Sequence, residues 1–253
     1  MTAPVVLITG STGMLGRALG ETLSSSYSVL GISKRGLSGS LACDLSDASS
    51  VRRVFERHAI QLVINTAAYS DVDGCERDPK LAYDSNALAP KILSAICSEK
   101  KIPWIHVSTD YVFNGRKTTP YVESDQAAPV NVYGMTKWVG EYYAMTSASP
   151  AAVVRTSWLF GKYQPNNFVN VIMERMKNEA VLSVLDDQVD APTSVKDLSL
   201  ALATIAGHLL DLSKKNPGKA WNEVFHVCNG GSATRHDMTL KIRDWMGLAR
   251  VRV

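Results

Sequence analysis

The tightest constraint on the fold lies at the start of the chain. A β-branched apolar run, Val5-Val6-Leu7-Ile8, leads into Thr9-Gly10-Ser11-Thr12-Gly13-Met14-Leu15-Gly16. From Gly16 to Leu23 apolar residues then recur at helical spacing. Glycines between a strand and a helix allow a tight turn, close approach of backbone to an anion, and close packing of helix on strand. The helix start adds unpaired N–H groups and the positive end of its dipole. The turn is read as a phosphate cradle with Gly10, Gly13 and Gly16 facing a cofactor. Its place after a strand and before a helix distinguishes it from a chance glycine triplet.

The same alternation continues. Leu62-Val63-Ile64, Trp104-Ile105-His106-Val107 and Val153-Val154-Arg155-Thr156 read as buried strands, and Ala48 to Glu56 and Tyr83 to Cys97 as helices. Strands separated by helices cannot pair through hairpins, so they are expected to be parallel. The expected fold is an α/β, Rossmann-type doubly wound parallel sheet with a small C-terminal substrate-binding lobe. Past residue 160 the pattern loosens: helix over Asn167 to Met176, strand over Val181 to Leu185, helix over Val195 to Leu210, a polar loop from Ser213 to Lys219, strand Phe225-His226-Val227, and helix Met238 to Met246. Residues 1–160 are expected to form the cofactor-binding core and 161–253 the substrate lobe, shortened at its C-terminus.

Charge and composition narrow the partners. A net charge of +3 with scattered Lys and Arg gives no concentrated basic face, which excludes nucleic acid as the main partner. No stretch approaches the ~20 apolar residues of a membrane span, and Met1-Thr2-Ala3-Pro4 has no basic leader character. Cys43, Cys75, Cys97 and Cys228 are too far apart for a zinc or redox motif, so reduced thiols and a cytoplasmic location are expected. His58, His106, His208, His226 and His236 show no ligand spacing, so no metal is expected, and His106 reads as a satisfied core residue. Asp186-Asp187 is expected to shape a turn and Asp71-Val72-Asp73 a loop.

About twenty residues past the glycines, where an NAD enzyme places a carboxylate for the ribose, the chain has Ser33-Lys34-Arg35. Two cations favour the 2′-phosphate of NADPH, with NADH as the alternative. Asp44 and Leu45 suit the adenine end, and Asn65-Thr66-Ala67-Ala68 the nicotinamide side. Tyr133 and Lys137 stand i, i+4 on one helix face, with Thr109 upstream at a strand end. A phenol titrates near about 10 and needs a neighbouring ammonium to become a useful acid at neutral pH. Tyr133 is therefore read as proton donor, Lys137 as its modulator and a ligand of the nicotinamide ribose, and Thr109 as the hydroxyl that orients a carbonyl.

Asn65 to Asp73 with Glu76, Ser108-Thr109-Asp110-Tyr111-Val112-Phe113, Asn131 to Lys137 with Gly140-Glu141, Arg155-Thr156-Ser157-Trp158, Asn167-Phe168, and Asp186-Asp187-Gln188 with Pro192-Thr193 resemble the dTDP-4-dehydrorhamnose reductase family. The matches run in order from residue 5 to about residue 200. The resemblance implies NADPH-dependent reduction of the 4-keto group of a nucleotide-linked 6-deoxyhexose, dTDP-4-dehydro-L-rhamnose to dTDP-L-rhamnose. It implies that Gly13, Met14 and Leu15 contact the cofactor phosphates, that Ala68, Tyr69 and Val107 flank the cofactor, and that Thr109, Asp110, Trp158 and Asn167 face the substrate. A homodimer is left open. Two departures stand out: Val189-Asp190-Ala191 before Pro192-Thr193, and an ending, Leu248 to Val253, unlike the family's.

Two other functions stay open. The regulatory beta subunit of methionine adenosyltransferase resembles the same family and binds NADP, and its partner would be the catalytic subunit of that enzyme. Sugar-nucleotide dehydratases and epimerases that retain NAD share the fold, but dehydratases tend to place two acids after the threonine. Here Asp110 is followed by Tyr111, leaving one carboxyl.

Overall fold

The computed structural model describes residues 3–164, 167–216 and 219–253. Met1 and Thr2 of the N-terminal reading, and Pro217-Gly218 within the expected polar loop, lie outside them. The elements run β1 (Val5–Thr9), α1 (Met14–Leu23), β2 (Ser28–Ser33), β3 (Leu41–Ala42), α2 (Ala48–Arg57), β4 (Ile60–Asn65), α3 (Val72–Arg77) and α4 (Pro79–Tyr83). A π-helical turn, Asp84–Leu88, joins α4 to α5 (Ala89–Lys100). Then follow β5 (Trp104–Thr109), a 3₁₀ turn (Asp110–Val112), α6 (Val132–Met145), β6 (Ala151–Thr156), β7 (Leu159–Phe160), α7 (Phe168–Asn178), β8 (Val189–Asp190), β9 (Thr193–Ser194), α8 (Val195–Lys215), β10 (Asn222–His226), β11 (Ala233–Thr234) and α9 (Arg235–Trp245).

Seven strands form one sheet in the order β10-β6-β5-β4-β1-β2-β3, and every pairing in it is parallel. The doubly wound sheet expected from the alternation is thus the fold. Alternate residues of each inner strand enter opposite cores. Val6 and Ile8 pack under α1 and α8, while Leu7 faces α2 and α5. Two-sided burial is why these strands are continuous apolar runs rather than alternating ones. The strand order reverses between β1 and β4, which opens a crevice at their carboxyl ends, where ligands of such sheets bind.

Several expectations change. Val181–Leu185 is not a strand: Val181 makes a single bridge to Arg252, and the Leu182 N–H donates to the Arg252 carbonyl. The run is apolar because Leu182 and Val184 pack with Ile172, Met176 and Val251, not because it pairs in a sheet. The C-terminal residues that depart from the family's ending close this small cluster. Asp71 caps α3 by accepting from the Gly74 N–H, so Asp71-Val72-Asp73 opens a helix rather than a loop. Ser213–Lys215, placed in a loop, end α8. Beyond residue 160 the chain also returns to the sheet, since α8 packs on α1 and β10 pairs with β6. A cut at residue 160 therefore leaves the outermost strand on its far side. Among the described residues no helix is long and apolar enough to cross a membrane.

Candidate active site

The glycine turn closes the crevice from the β1 side. Gly10 has φ +66°, and a Cβ there would lie 2.8 Å from the Ala67 backbone at the end of β4. A Cβ on Gly16 would run into the Gly10 carbonyl. Side chains at these positions would force the turn away from β4 and from the start of α1. Gly13 caps α1 with no side-chain hydrogen bond, and no acidic residue stands in the first turn, so the N–H groups near Met14 and Leu15 keep their attraction for an anion.

The adenine side is more occupied than the sequence suggested. Lys34 pairs with Asp44 at 3.4 Å, both being solvent-exposed. The other oxygen of Asp44 accepts from the Ser46 N–H and hydroxyl, which together with Lys34 hold its carboxyl below the ordinary range. Ser33 meets Ser40 at 2.7 Å and accepts from the Gly36 N–H. Leu45 packs partly into the core beneath. Arg35 is exposed. Arg17, passed over in the sequence, reaches from α1 to the Thr12 carbonyl and to Ser38 in this same loop. A cation directly after the third glycine was its only signal.

On the β4 side, Ala68 and Tyr69 sit in a loop fixed by Asn86 from the π turn. Asn86 accepts from the Tyr69 N–H at 2.8 Å and donates to the Tyr69 carbonyl and to Thr136 of α6. A widened turn of this kind often marks a functional position, but its spacing left no trace in the sequence.

The expected catalytic residues meet at the carboxyl end of β5. Thr109 ends the strand and hydrogen-bonds Asp110 at 2.9 Å. Tyr133 lies in the first turn of α6, edge-on to Tyr111. Lys137 is buried, and its Nζ donates to the Val107 carbonyl at 2.6 Å. Burial lowers its pKa to about 8 against the pull of Glu141. Tyr133 corrects one expectation. Burial pushes its phenol up, with hydrogen bonding to Thr109 opposing and the Asp110 charge reinforcing.

The α6 helix is clamped to the sheet by a buried ion pair. Arg155 of β6 meets Glu141 through two bonds of 2.9 and 2.7 Å, and its guanidinium stacks 5.0 Å over Phe113. Two-pronged geometry of this kind is what makes such a pair worth burying.

Across the crevice, Trp158 adopts φ +41°, a backbone strain that side chains rarely bear outside functional positions. Arg235 of α9 lies 3.6 Å over its ring and 4.4 Å over Phe168. Beside them a cleft of about 520 Å³ is lined by Phe168, Arg175 and Arg235. Asp190 of β8 approaches Asp110, whose carboxyl is raised well above the ordinary range by burial first and the Asp190 charge second. The second carboxyl that the sequence lacked after Thr109 therefore arrives from another segment. Asn167 is used differently from the expectation. Its oxygen caps α7 and its amide donates to the Gly161 and Gln164 carbonyls, so its polar atoms are spent on the fold. No group of three His, Cys, Asp or Glu is arranged to hold a metal among the described residues.

The family model described as RmlD substrate binding domain matches residues 4–253. A dTDP-4-dehydrorhamnose reductase of Mycobacterium tuberculosis (strain CDC 1551 / Oshkosh) is 36% identical over 98% of this chain and 77% of that one. The spore coat polysaccharide biosynthesis protein SpsK of Bacillus subtilis (strain 168) is 31% identical over 96% of this chain and 80% of that one. Among solved structures, a dTDP-4-dehydrorhamnose reductase of Bacillus anthracis str. Ames in complex with NADP superposes with a TM-score of 0.88 at 30% identity, covering 100% of this chain and 83% of that one. With the glycine cradle, the threonine, tyrosine and lysine at β5 and α6, and these matches along nearly its whole length, the chain belongs to the dTDP-4-dehydrorhamnose reductase family.

Proposed function

We propose that this chain catalyses the NADPH-dependent reduction of a nucleotide-linked 4-keto-6-deoxyhexose, dTDP-4-dehydro-L-rhamnose to dTDP-L-rhamnose. One observation carries the reading: the phosphate cradle of β1 and the Thr109, Tyr133 and Lys137 set of β5 and α6 open onto the same crevice at the strand-order reversal.

The cradle fits a dinucleotide. Gly10 and Gly16 let the turn pack tightly on β4 and on itself, which brings backbone N–H groups near Gly13, Met14 and Leu15 to where they would hold a pyrophosphate. Lys34 and Arg35, joined by Arg17, would hold the 2′-phosphate of such a dinucleotide, and Ser33, Asp44 and Leu45 its adenine end. Ala67, Ala68, Tyr69 and Val107 line the way to the reacting end. When bound, the dinucleotide supplies the hydride.

The chain's own residues manage charge and protons. The Thr109 hydroxyl orients the sugar carbonyl and hydrogen-bonds the oxygen as negative charge develops. Tyr133 gives its phenolic proton to the alkoxide, and a high-pKa phenol is held protonated for that step. The Lys137 ammonium then stabilises the phenolate and holds the ribose. Because burial lowers Lys137 to about 8, the rate is expected to fall as pH rises through that region and the ammonium is lost. Trp158 and Asp110 face the sugar, and Arg235 offers a cation to the nucleotide phosphates, whereas Arg175 is paired with Glu179. Residues of α7, β8 and α9 thus form the substrate-facing part of the segment 161–253.

Mixing the protein with NADPH and dTDP-4-dehydro-L-rhamnose and following the nicotinamide absorbance tests the reading. Sugar-dependent loss that disappears in Tyr133→Phe is expected. Measurable NADPH binding with no turnover would sink it.

A further inference from the structure

His106 has no part in the reaction as described, yet it touches the residue on which the reaction depends. It is fully buried in β5, with Nδ1 2.9 Å from the Asn65 amide nitrogen and Nε2 3.4 Å from Lys137 Nζ. Asn65 in turn accepts from the Thr9 hydroxyl at 2.5 Å, and the Thr9 oxygen accepts from the Ala67 N–H at 3.4 Å. The ends of β1 and β4 and the middle of β5 are thereby strung on one buried chain that runs from the cofactor loop to α6. Gly140 makes room for it: a Cβ there would stand 2.9 Å from His106 Nε2.

The donors and acceptors in this chain are fixed from one end. The Thr9 hydroxyl oxygen receives the Ala67 N–H, and its own proton goes to the Asn65 side-chain oxygen, the acceptor that the structure sets beside it. Turning the Asn65 amide over would leave the fully buried Thr9 hydroxyl with no acceptor, at a cost of about 1–3 kcal/mol. The Asn65 NH₂ therefore donates to His106 Nδ1, which must be bare, and the proton of the neutral ring sits on Nε2. Burial and the Lys137 charge both disfavour a cationic ring. An N–H donor thus faces the Lys137 amine, which is itself a donor when charged.

We propose that His106 is a positioning residue, locked with its proton on Nε2, which closes the sheet side of Lys137 to hydrogen bonding and leaves the amine's remaining donors for the crevice. One of the three ammonium protons goes to the Val107 carbonyl, and none can go to His106. The other two are directed at Tyr133 and at the ribose hydroxyls of a bound dinucleotide. With the proton on Nδ1 instead, Nε2 would draw a lysine proton into the sheet. The other ionisable groups near Lys137 are Tyr133 and Glu141 on its own helix and Arg155 of β6, which is paired to Glu141. The proposal rests on the role given to Lys137 above, but its first test does not.

That test is a long-range ¹H–¹⁵N correlation spectrum of the imidazole rings of uniformly labelled protein between pH 6 and 9, with His106→Gln to assign the signals. A neutral ring with bare Nδ1 and protonated Nε2 throughout is expected. A protonated Nδ1, or a ring that titrates in this range, overturns the proposal whether or not the protein reduces a sugar. Asn65→Asp supplies the second arm, because a carboxylate accepts from Nδ1–H and moves the proton off Nε2. The flipped ring should then accept from Lys137. NADPH affinity, read by quenching of tryptophan fluorescence, should fall about tenfold, and the alkaline limb of the rate should move up by about one pH unit, as expected for a gained hydrogen bond to a charged group. A flipped ring with unchanged affinity and an unchanged limb would show that His106 only fills space.

Discussion

On the β1–β5 side of the crevice, each functional residue lies within a few positions of the strand or helix end that presents it, and polar groups hydrogen-bond to one another. On the opposite side, Trp158, Asp190 and Arg235 come from three separate segments. Stacking holds Trp158 and Arg235, the Trp158 backbone is strained, and Asp190 crowds the raised carboxyl of Asp110. The first arrangement suits a cofactor whose shape never varies. The second keeps side chains whose charge and position a substrate can reset.

The largest effect should come from the side with fixed chemistry. Tyr133→Phe is expected to lower kcat by about 10³-fold, the usual worth of a proton donor, with little change in KM. An equal rise in KM would place the tyrosine in binding instead. Next is the clamp under that side. Arg155→Met leaves the Glu141 charge buried alone and should cost roughly 3–5 kcal/mol in urea unfolding, whereas replacing both residues by methionine should recover most of it. A single substitution as mild as the double one would mean that the ion pair does not hold α6.

Third, Lys34→Ala with Arg35→Ala should reduce the preference for NADPH over NADH about tenfold, as expected for lost hydrogen bonds to a phosphate. An unaltered preference would hand that role to Arg17. The smallest effect tests the looser side. The pKa of Asp110 is higher in the folded than in the unfolded state, so its protonated form stabilises the fold. That contribution is present in acid and is lost as pH rises from about 4 through the raised value. Asp190→Asn removes the like charge and should lessen the loss, so the variant should gain about 1 kcal/mol over the parent at pH 8 relative to pH 5. Parallel stability curves in urea would separate the two carboxyls.

The same comparison explains what could be read from sequence. The glycine turn, Thr109, Tyr133 and Lys137 were legible because backbone conformation and helical spacing are local, so a few residues encode them. Asp190 and Arg235 were not, since their nearness to Asp110 and Trp158 exists only after α7, α8 and β11 have packed. Val181–Leu185 misled for a related reason. An apolar β-branched run reports burial, and whether a partner strand waits beside it is decided elsewhere. Asn167 shows the converse: a residue carried by family resemblance whose oxygen caps α7 and whose amide is spent on the Gly161 and Gln164 carbonyls.

The place of β10 has a consequence for how the protein is made. Strand β6, buried along its whole length in the finished molecule, is paired on its outer side only by β10. During synthesis some seventy residues must follow β6 before that partner emerges. Until then a nascent chain displays an apolar, unpaired edge, the kind of surface that joins neighbouring chains and draws chaperones. Ribosomes spaced closely along one message would bring such edges together, so the yield of folded protein should respond to translation rate between β6 and β10 more than to the speed at which the first five strands are made.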